Sequence, residues 1–169
     1  MSTLLTDGTK VKIRSIHSDD ASMLQAFVRR LSLQSRRFRF FSGIVELPTQ
    51  LLQRLVDLDR RRGLALVALN EPSGSAVIIA EARCVLDPAE GNAEFALAVA
   101  DEFQRRGLGE RLLKTLVTYA SHRGVRRLFG EIMADNHGML ALARRLGFQV
   151  QSNALDRKTM IASIAPSQR

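Results

Sequence analysis

Apolar positions recur along the chain with two periods, and the switches between them mark the elements. Residues 10–16, KVKIRSI, alternate polar and apolar, which predicts a strand with one buried face. Ser18-Asp19-Asp20 supplies side-chain oxygens suited to the free amides of a helix start, and Met23, Leu24, Phe27, Val28 and Leu31 follow on one helical stripe. A second helix is predicted over 47–59, with Pro48 in its first turn, where a missing amide costs nothing. Residues 63–70 and 75–86 read as strands joined by a tight turn at Glu71-Pro72-Ser73-Gly74. A turn at 88–91 leads into a strand at 92–100. The next helix carries Leu108, Leu112, Leu116, Val117 and Ala120 on its apolar face, runs to about His122, and is closed by Gly124. A strand at 125–134, a short helix from Asn136 to Leu146 ended by Gly147, and strands at 148–150 and 158–164 complete the chain.

The resulting order is β-α-α-β-β-β-α-β-α-β-β. Hairpins make antiparallel pairs and a β-α-β crossover makes a parallel one, so the expected fold is α/β with a locally parallel pair inside a largely antiparallel sheet. No repeat or linker interrupts the pattern. At 169 residues, a single domain over 1–169 is expected.

Composition narrows the setting. Hydrophobic residues are 46% and charged residues 25%, as in ordinary globular chains. Cys84 is the only cysteine, so no intramolecular disulfide and no cysteine-based zinc site can form, which fits a reducing, cytoplasmic location. The first residues have no apolar leader pattern, and the longest apolar runs, 64–69 and 76–80, are too short to span a membrane. The net charge is +8. The Arg residues come mostly as pairs and one triplet (Arg29–Arg30, Arg36–Arg37, Arg60–Arg62, Arg105–Arg106, Arg126–Arg127, Arg144–Arg145), spread over many predicted elements. With aromatics at only 5%, a dedicated nucleic-acid face is not expected, but an acidic cofactor or partner suits such a surface.

The candidate chemistry starts at residues 101–112, DEFQRRGLGERL. A strand, a short turn with Gly107 and Gly109, and a helix start together make an anion site, because first-turn amides lack intrahelical acceptors and carry the positive end of the helix dipole. Both glycines read as clearance for a phosphate-bearing ligand. The sequence departs from a Walker loop, since Gly109-Glu110-Arg111 replaces the Gly-Lys-Ser/Thr ending, and from a dinucleotide fingerprint, since Leu112 replaces the third glycine.

Gln104-Arg105-Arg106-Gly107-Leu108-Gly109 resembles the Q/R-x-x-G-x-G/A signature of the GNAT superfamily of N-acetyltransferases. The following strand, Asn136, and Leu146-Gly147-Phe148 resemble that family in order and spacing. A looser similarity, through residues 35–41 and Ala93-Glu94-Phe95, links the chain to the acetyltransferase domain of bacterial protein lysine acetyltransferases. The resemblance implies a sheet of six to seven strands flanked by about four helices, and acetyl-CoA as cosubstrate. Arg105, Arg106, Gly107, Leu108, Gly109 and Glu110 would then hold the pyrophosphate. Leu97, Ala98 and Val99 would pair with the pantetheine arm as an added strand does, and Asn136 would bond the same arm, a role compatible with capping its helix.

Acetyl transfer to an amine needs no metal but does need a proton acceptor. Glu94 shares strand parity with Ala96 and Ala98, an apolar face on which desolvation would make it a better base. It also matches the strand glutamate implied by the lysine acetyltransferase similarity. Glu131 matches the base position of ribosomal-protein N-terminal acetyltransferases of the same superfamily. An amide near Val99 is expected to meet the oxyanion. One departure from the family pattern is Ala143, where many members carry a tyrosine that protonates the leaving thiolate; the sole tyrosine, Tyr119, reads as structural. His17, His122 and His137 lack metal spacing, Cys84 reads as buried packing, and Asp101 and Glu102 as a turn. Phe38, Phe40 and Phe41 could line an acceptor site.

The expected activity is thus acetyl-CoA-dependent N-acetylation of a protein lysine or small-molecule amine. A CoA-binding sensor without a base is the alternative. No membrane partner is expected, a homodimer is compatible with the sequence, and no cyclic-nucleotide or synthetase domain fits within its length.

Overall fold

A computed structural model describes residues 2–71 and 74–166. Eight strands, β1 (Ser2–Leu4), β2 (Lys10–Ser15), β3 (Gly63–Asn70), β4 (Val77–Asp87), β5 (Asn92–Val99), β6 (Arg127–Met133), β7 (Gln149–Ser152) and β8 (Thr159–Ile164), form one sheet in the order β1-β2-β3-β4-β5-β6-β8-β7. All neighbours are antiparallel except β5 and β6, the pair joined by the crossover. Five helices cover the sheet: α1 (Ala21–Arg30), α2 (Leu33–Phe40), α3 (Thr49–Val56), α4 (Leu108–His122) and α5 (His137–Arg145).

The sheet therefore has one strand, and the molecule one helix, beyond the expected numbers. β1 is three residues long, too short for an alternation to register. α2, LQSRRFRF, buries none of its residues, so it carries no apolar stripe. The helix expected over 47–59 runs only over Thr49–Val56. The turn expected at 71–74 includes residues 72 and 73, which lie outside the described residues. Asp20 precedes α1 but does not cap it. Its carboxylate is buried and takes two bonds from the Arg14 guanidinium at 2.6 and 2.7 Å, which hold it below the usual carboxylate range.

Strand alternation sends side chains into two cores. On one face Ala93 and Phe95 of β5 and Leu128 and Ile132 of β6 meet Leu112, Leu113 and Leu116 of α4. On the other, Ala98 joins Val67, Leu69 and Ile78 beneath Leu24, Phe27, Val28 and Leu31. Each such buried leucine contributes about 1.5–3 kcal/mol. Cys84 is fully buried in the first core, and burial pushes its thiol up to about 12.

The site is set by where one ladder stops. β5 and β6 pair only at Asn92–Arg127, Ala93–Leu128 and Glu94–Phe129. Beyond that point β5 stays with β4 as far as Val99, and β6 stays with β8 as far as Met133, so the parallel strands part as a fork. The Phe95 ring fills its closed end, edge-on to Phe148 at 5.3 Å and pressed against Gly130. A Cβ at Gly130 would come within 2.6 Å of that ring. Gly130→Ala is therefore expected to destabilise the protein by about 1–3 kcal/mol through overpacking, read as a shift in the urea midpoint at unchanged slope.

Candidate functional site: a forked sheet edge and its anion loop

Main-chain direction alternates along a strand, and two bonds fix the phase of β5. The Ala100 N–H donates to Ile79 O at 2.8 Å, toward β4, while Gly91 O accepts from the Arg126 N–H at 2.8 Å, toward β6. Odd-numbered residues of β5 thus face β6 with both N–H and C=O. Past the fork, Leu97 and Val99 turn these groups into the gap. Ala98 turns its own toward β4 and its methyl into the second core, so of the three residues expected beside a ligand arm, it is the one whose main chain faces away. The Gln104 amide donates to Val99 O at 3.0 Å, leaving the Val99 N–H and both Leu97 groups at the open edge.

The loop that follows is shaped by two left-handed residues, Arg105 at φ 58° and Gly107 at φ 84°. Such turns gather N–H groups into an anion-binding concavity. Leu108, Gly109 and Glu110 form the first turn of α4, ahead of the bond from the Arg111 N–H to Gly107 O at 3.1 Å, so their amides have no intrahelical acceptor. The two glycines have different reasons. Gly107 is required by its backbone angle. Gly109 is not required by the fold, since a Cβ there would meet Leu142, Val99 and Leu97 at 3.6–3.9 Å, ordinary contact distance. That space lies beside the fork, so clearance for a ligand explains Gly109 and not Gly107.

Charges around the loop also separate. Arg106 pairs with Asp7 at 2.6 Å, lies over the Phe103 ring, and its carbonyl accepts from the Thr6 N–H, so the β1–β2 turn braces the loop. Arg105 is exposed, and its side chain makes no hydrogen bond or ion pair among the described residues. Glu110 is bridged to Lys114 at 2.7 Å and to Arg145 at 2.6 Å; the Lys114 bond, then Arg145, hold its carboxyl below the usual range. Asn136 caps α5 through Oδ1, which accepts from the Met139 N–H at 3.1 Å, and its amide nitrogen makes no hydrogen bond among the described residues. The loop, the open edge and this amide can together hold a ligand with a phosphate head and an amide-bearing arm.

A cleft of about 280 Å³ opens at the fork. It brings together Glu94, Glu131, Leu97, Phe38, Phe40 and Phe41, with Arg39, Phe95 and Ala96. Glu94 is exposed, so the burial expected from strand parity is not found, although apolar side chains neighbour it. Glu131 is half-buried, and its Oε1 accepts from Asn153 Nδ2 at 3.0 Å and from the Thr159 hydroxyl at 2.6 Å. Neither Val99 nor Asn136 lines this cleft.

Helix α2 is fastened over the cleft mainly by polar contacts, with Phe40 packed against the second core. At its start the Ser32 N–H and hydroxyl donate to Asp101 at 3.0 and 2.7 Å, and the Ser35 hydroxyl donates at 2.8 Å. Burial opposes the Asp101 charge, but these donors outweigh it and lower its pKa. In its middle Arg37 pairs with Asp135, across the fork. Near its end Arg39 pairs at 3.1 Å with Glu81 of β4, which also pairs with Arg83. Glu81 is 3% exposed; burial alone would raise its pKa, and the two guanidiniums reverse that and hold it below the carboxylate range.

Several site residues escaped sequence reading: Gln104 as a clamp on Val99, Asn153 and Thr159 on Glu131, and the Arg39–Glu81–Arg83 triad. The triad did leave a signal, two opposite charges two apart within the apolar run VIIAEARCVL, which mark a buried pair. Ala143, where a family tyrosine was considered, is fully buried against the first core. Tyr119 lies on α4, where its hydroxyl accepts from Arg123 at 3.0 Å, outside the cleft lining. His17 precedes the turn before α1, while His122 ends α4 and His137 opens α5, both exposed. No helix of the described residues is long and apolar enough to cross a membrane.

Comparison with known proteins agrees with this geometry. The sequence profile of the acetyltransferase (GNAT) family matches residues 31–148. An acetyltransferase of Pseudomonas aeruginosa is 33% identical over 161 residues, covering 95% of this chain and 87% of its own. Acetyltransferase Pat of Mycolicibacterium smegmatis is 31% identical over 111 residues, 65% of this chain but only 33% of that longer protein. Among solved structures, the GNAT domain of S. lividans PAT superposes with a TM-score of 0.86 at 26% identity, covering 98% of this chain and 96% of that one. A phosphinothricin acetyltransferase from Sinorhizobium meliloti, solved with acetyl-CoA, shares the fold at a TM-score of 0.74 and 17% identity, covering 94% and 89%.

Proposed function

The chain belongs to the GNAT family of acetyltransferases, and we propose that it moves the acetyl group of acetyl-CoA onto a primary amine, of a protein lysine or a small molecule, with Glu94 as general base. The observation that carries this reading is the convergence of the open β5 edge, the amide loop and two carboxylates on one fork.

Acetyl-CoA supplies an activated thioester. The first-turn amides of α4 and the free Arg105 take its phosphates. Leu97 and Val99 bond its amide-bearing arm along the open edge, and the free amide of Asn136 reaches the same arm. The N–H of Leu97, a residue that lines the cleft with both glutamates, receives the oxyanion, a position deeper in the fork than the Val99 amide expected from sequence.

The acceptor arrives protonated. At pH 7 deprotonating a lysine amine of pKa about 10.4 costs about 4.6 kcal/mol, whereas an α-amine near 8 costs about 1.4 kcal/mol. Glu94, exposed and with a carboxylate that makes no hydrogen bond among the described residues, is free to take that proton. Glu131, fixed by Asn153 and Thr159, orients the ammonium. With Ala143 buried, the thiolate leaves without an acid at that position; a free thiol of pKa about 8.5 is a fair leaving group.

Gly109→Ala tests the donor path. The fold accommodates the added methyl, so the melting temperature should hold within a few degrees while acetyl-CoA affinity falls at least about tenfold, measured by titration calorimetry. Unchanged affinity would place the donor elsewhere.

A further inference from the structure

Beside the catalytic cleft a second hollow, of about 290 Å³, opens on the same side of the sheet, and Glu94 lines both. Register explains the continuity. Val85 pairs with Glu94 and Glu94 with Phe129, so the three side chains stand in a row across β4, β5 and β6. Helices α1 and α3 pack over the other end of this sheet face, in the second core, and leave the row uncovered. Its floor is apolar: Val85 is 38% exposed, and Phe129 is half-buried with the Arg127 guanidinium over its ring at 5.0 Å. Its walls are Asp87, Glu90 and Glu94, all exposed. On a chain of net charge +8, three carboxylates against the guanidiniums of Arg127 in the lining and Arg126 on the Glu90 carbonyl leave a local excess of negative charge. The turn that carries two of them is braced: Asp87 Oδ1 accepts from the Ala89 N–H at 3.1 Å, and Arg126 donates to the Glu90 carbonyl at 2.7 Å.

We propose that this face receives the polypeptide flanking the acceptor amine, and that it selects a segment with lysine or arginine beside the acetylated lysine. The inference rests on the acetyl-transfer reading above. A small-molecule acceptor would need only the first cleft; a chain leading away from an amine held at Glu94 must cross the second. Flanking basic side chains fit it in both parts, with the aliphatic stem on Val85 and Phe129 and the charged head at the carboxylates. The overall positive charge repels basic proteins at long range, so the preference is local, and it weakens with salt.

The test uses the full chain with bound CoA and two fluorescein-labelled Gly/Ser peptides, each with one lysine, flanked by two arginines or by two glutamates. Binding is read by anisotropy at low salt, and acetylation of the same peptides, with acetyl-CoA supplied in place of CoA, by mass spectrometry. The Arg-flanked peptide should bind about tenfold more tightly. Asp87→Lys with Glu90→Lys should reverse the order, and Arg127→Glu should widen it. Equal binding of the two peptides, or a preference that ignores both variants, overturns the inference. Acetylation of both peptides at equal efficiency overturns it too, and leaves the activity standing. A charge-dependent preference without acetylation of any amine supports the docking face and refutes the acetyl-transfer reading.

Discussion

Replacing Glu94 with glutamine should lower kcat for amine acetylation about 10²–10⁴-fold and leave acetyl-CoA affinity within about twofold of wild type. Glutamine keeps the size and hydrogen-bonding oxygen of the side chain but cannot accept the ammonium proton. The residue is exposed and touches no core, so the fold should not register the change. The defect should be larger for a lysine acceptor than for an α-amine, because the α-amine is partly neutral at pH 7 and needs less help. Glu131→Gln is the comparison. Its Oε1 takes bonds from Asn153 and Thr159, so this substitution should raise KM for the acceptor more than it lowers kcat. Equal kcat losses at the two positions would mean that the carboxylates work as one unit.

The largest expected effect on stability lies at the cleft of the fork. Glu81→Leu leaves Arg39 and Arg83 buried without their shared partner, at side-chain exposures of 11% and 8%. Loss of one member of a buried ion pair costs about 3–5 kcal/mol, a large fraction of the 5–15 kcal/mol that holds a typical domain folded. For a chain of this size the melting temperature should fall by on the order of 10 °C. Replacing all three residues with apolar ones of similar volume should recover much of the loss, since the pair's own attraction does little more than repay its desolvation. The pH dependence has a definite sign. Glu81 is held below the ordinary carboxylate range, so its contribution is complete above the unfolded value of about 4.3 and is lost as pH falls through the folded value. Wild type should therefore lose stability on acidification below about pH 4 more steeply than the triple apolar variant.

The parts of this molecule that periodicity can encode were legible in its sequence. The parallel pair followed from a crossover between two strands with a long amphipathic helix between them, and the anion loop from two glycines at a strand–helix junction. What escaped depends on contacts between distant residues. α2 is held by Arg39, Arg37 and Ser32 to partners 42, 98 and 69 positions away, and no local pattern reports such bonds. β1 is too short to alternate. The fork itself is a register property: the β5 sequence reads as a uniform strand, and only its pairing with β6 ends at Glu94. The two glycines could not be told apart until Gly107 took a left-handed angle and Gly109 did not. The sheet face that Glu94 occupies followed from its strand position, but its exposure could not be read from parity, because parity gives a face and not what covers that face.

The central claim is transfer to an amine at this fork, and the release of free CoA thiol from acetyl-CoA tests it most directly. With a panel of small amines and lysine peptides, thiol release should be slow without acceptor and rise with at least one of them, accompanied by an acetylated amine seen by mass spectrometry. Acetyl-CoA bound tightly at the fork, with no amine in the panel raising thiol release or gaining an acetyl group, would contradict it.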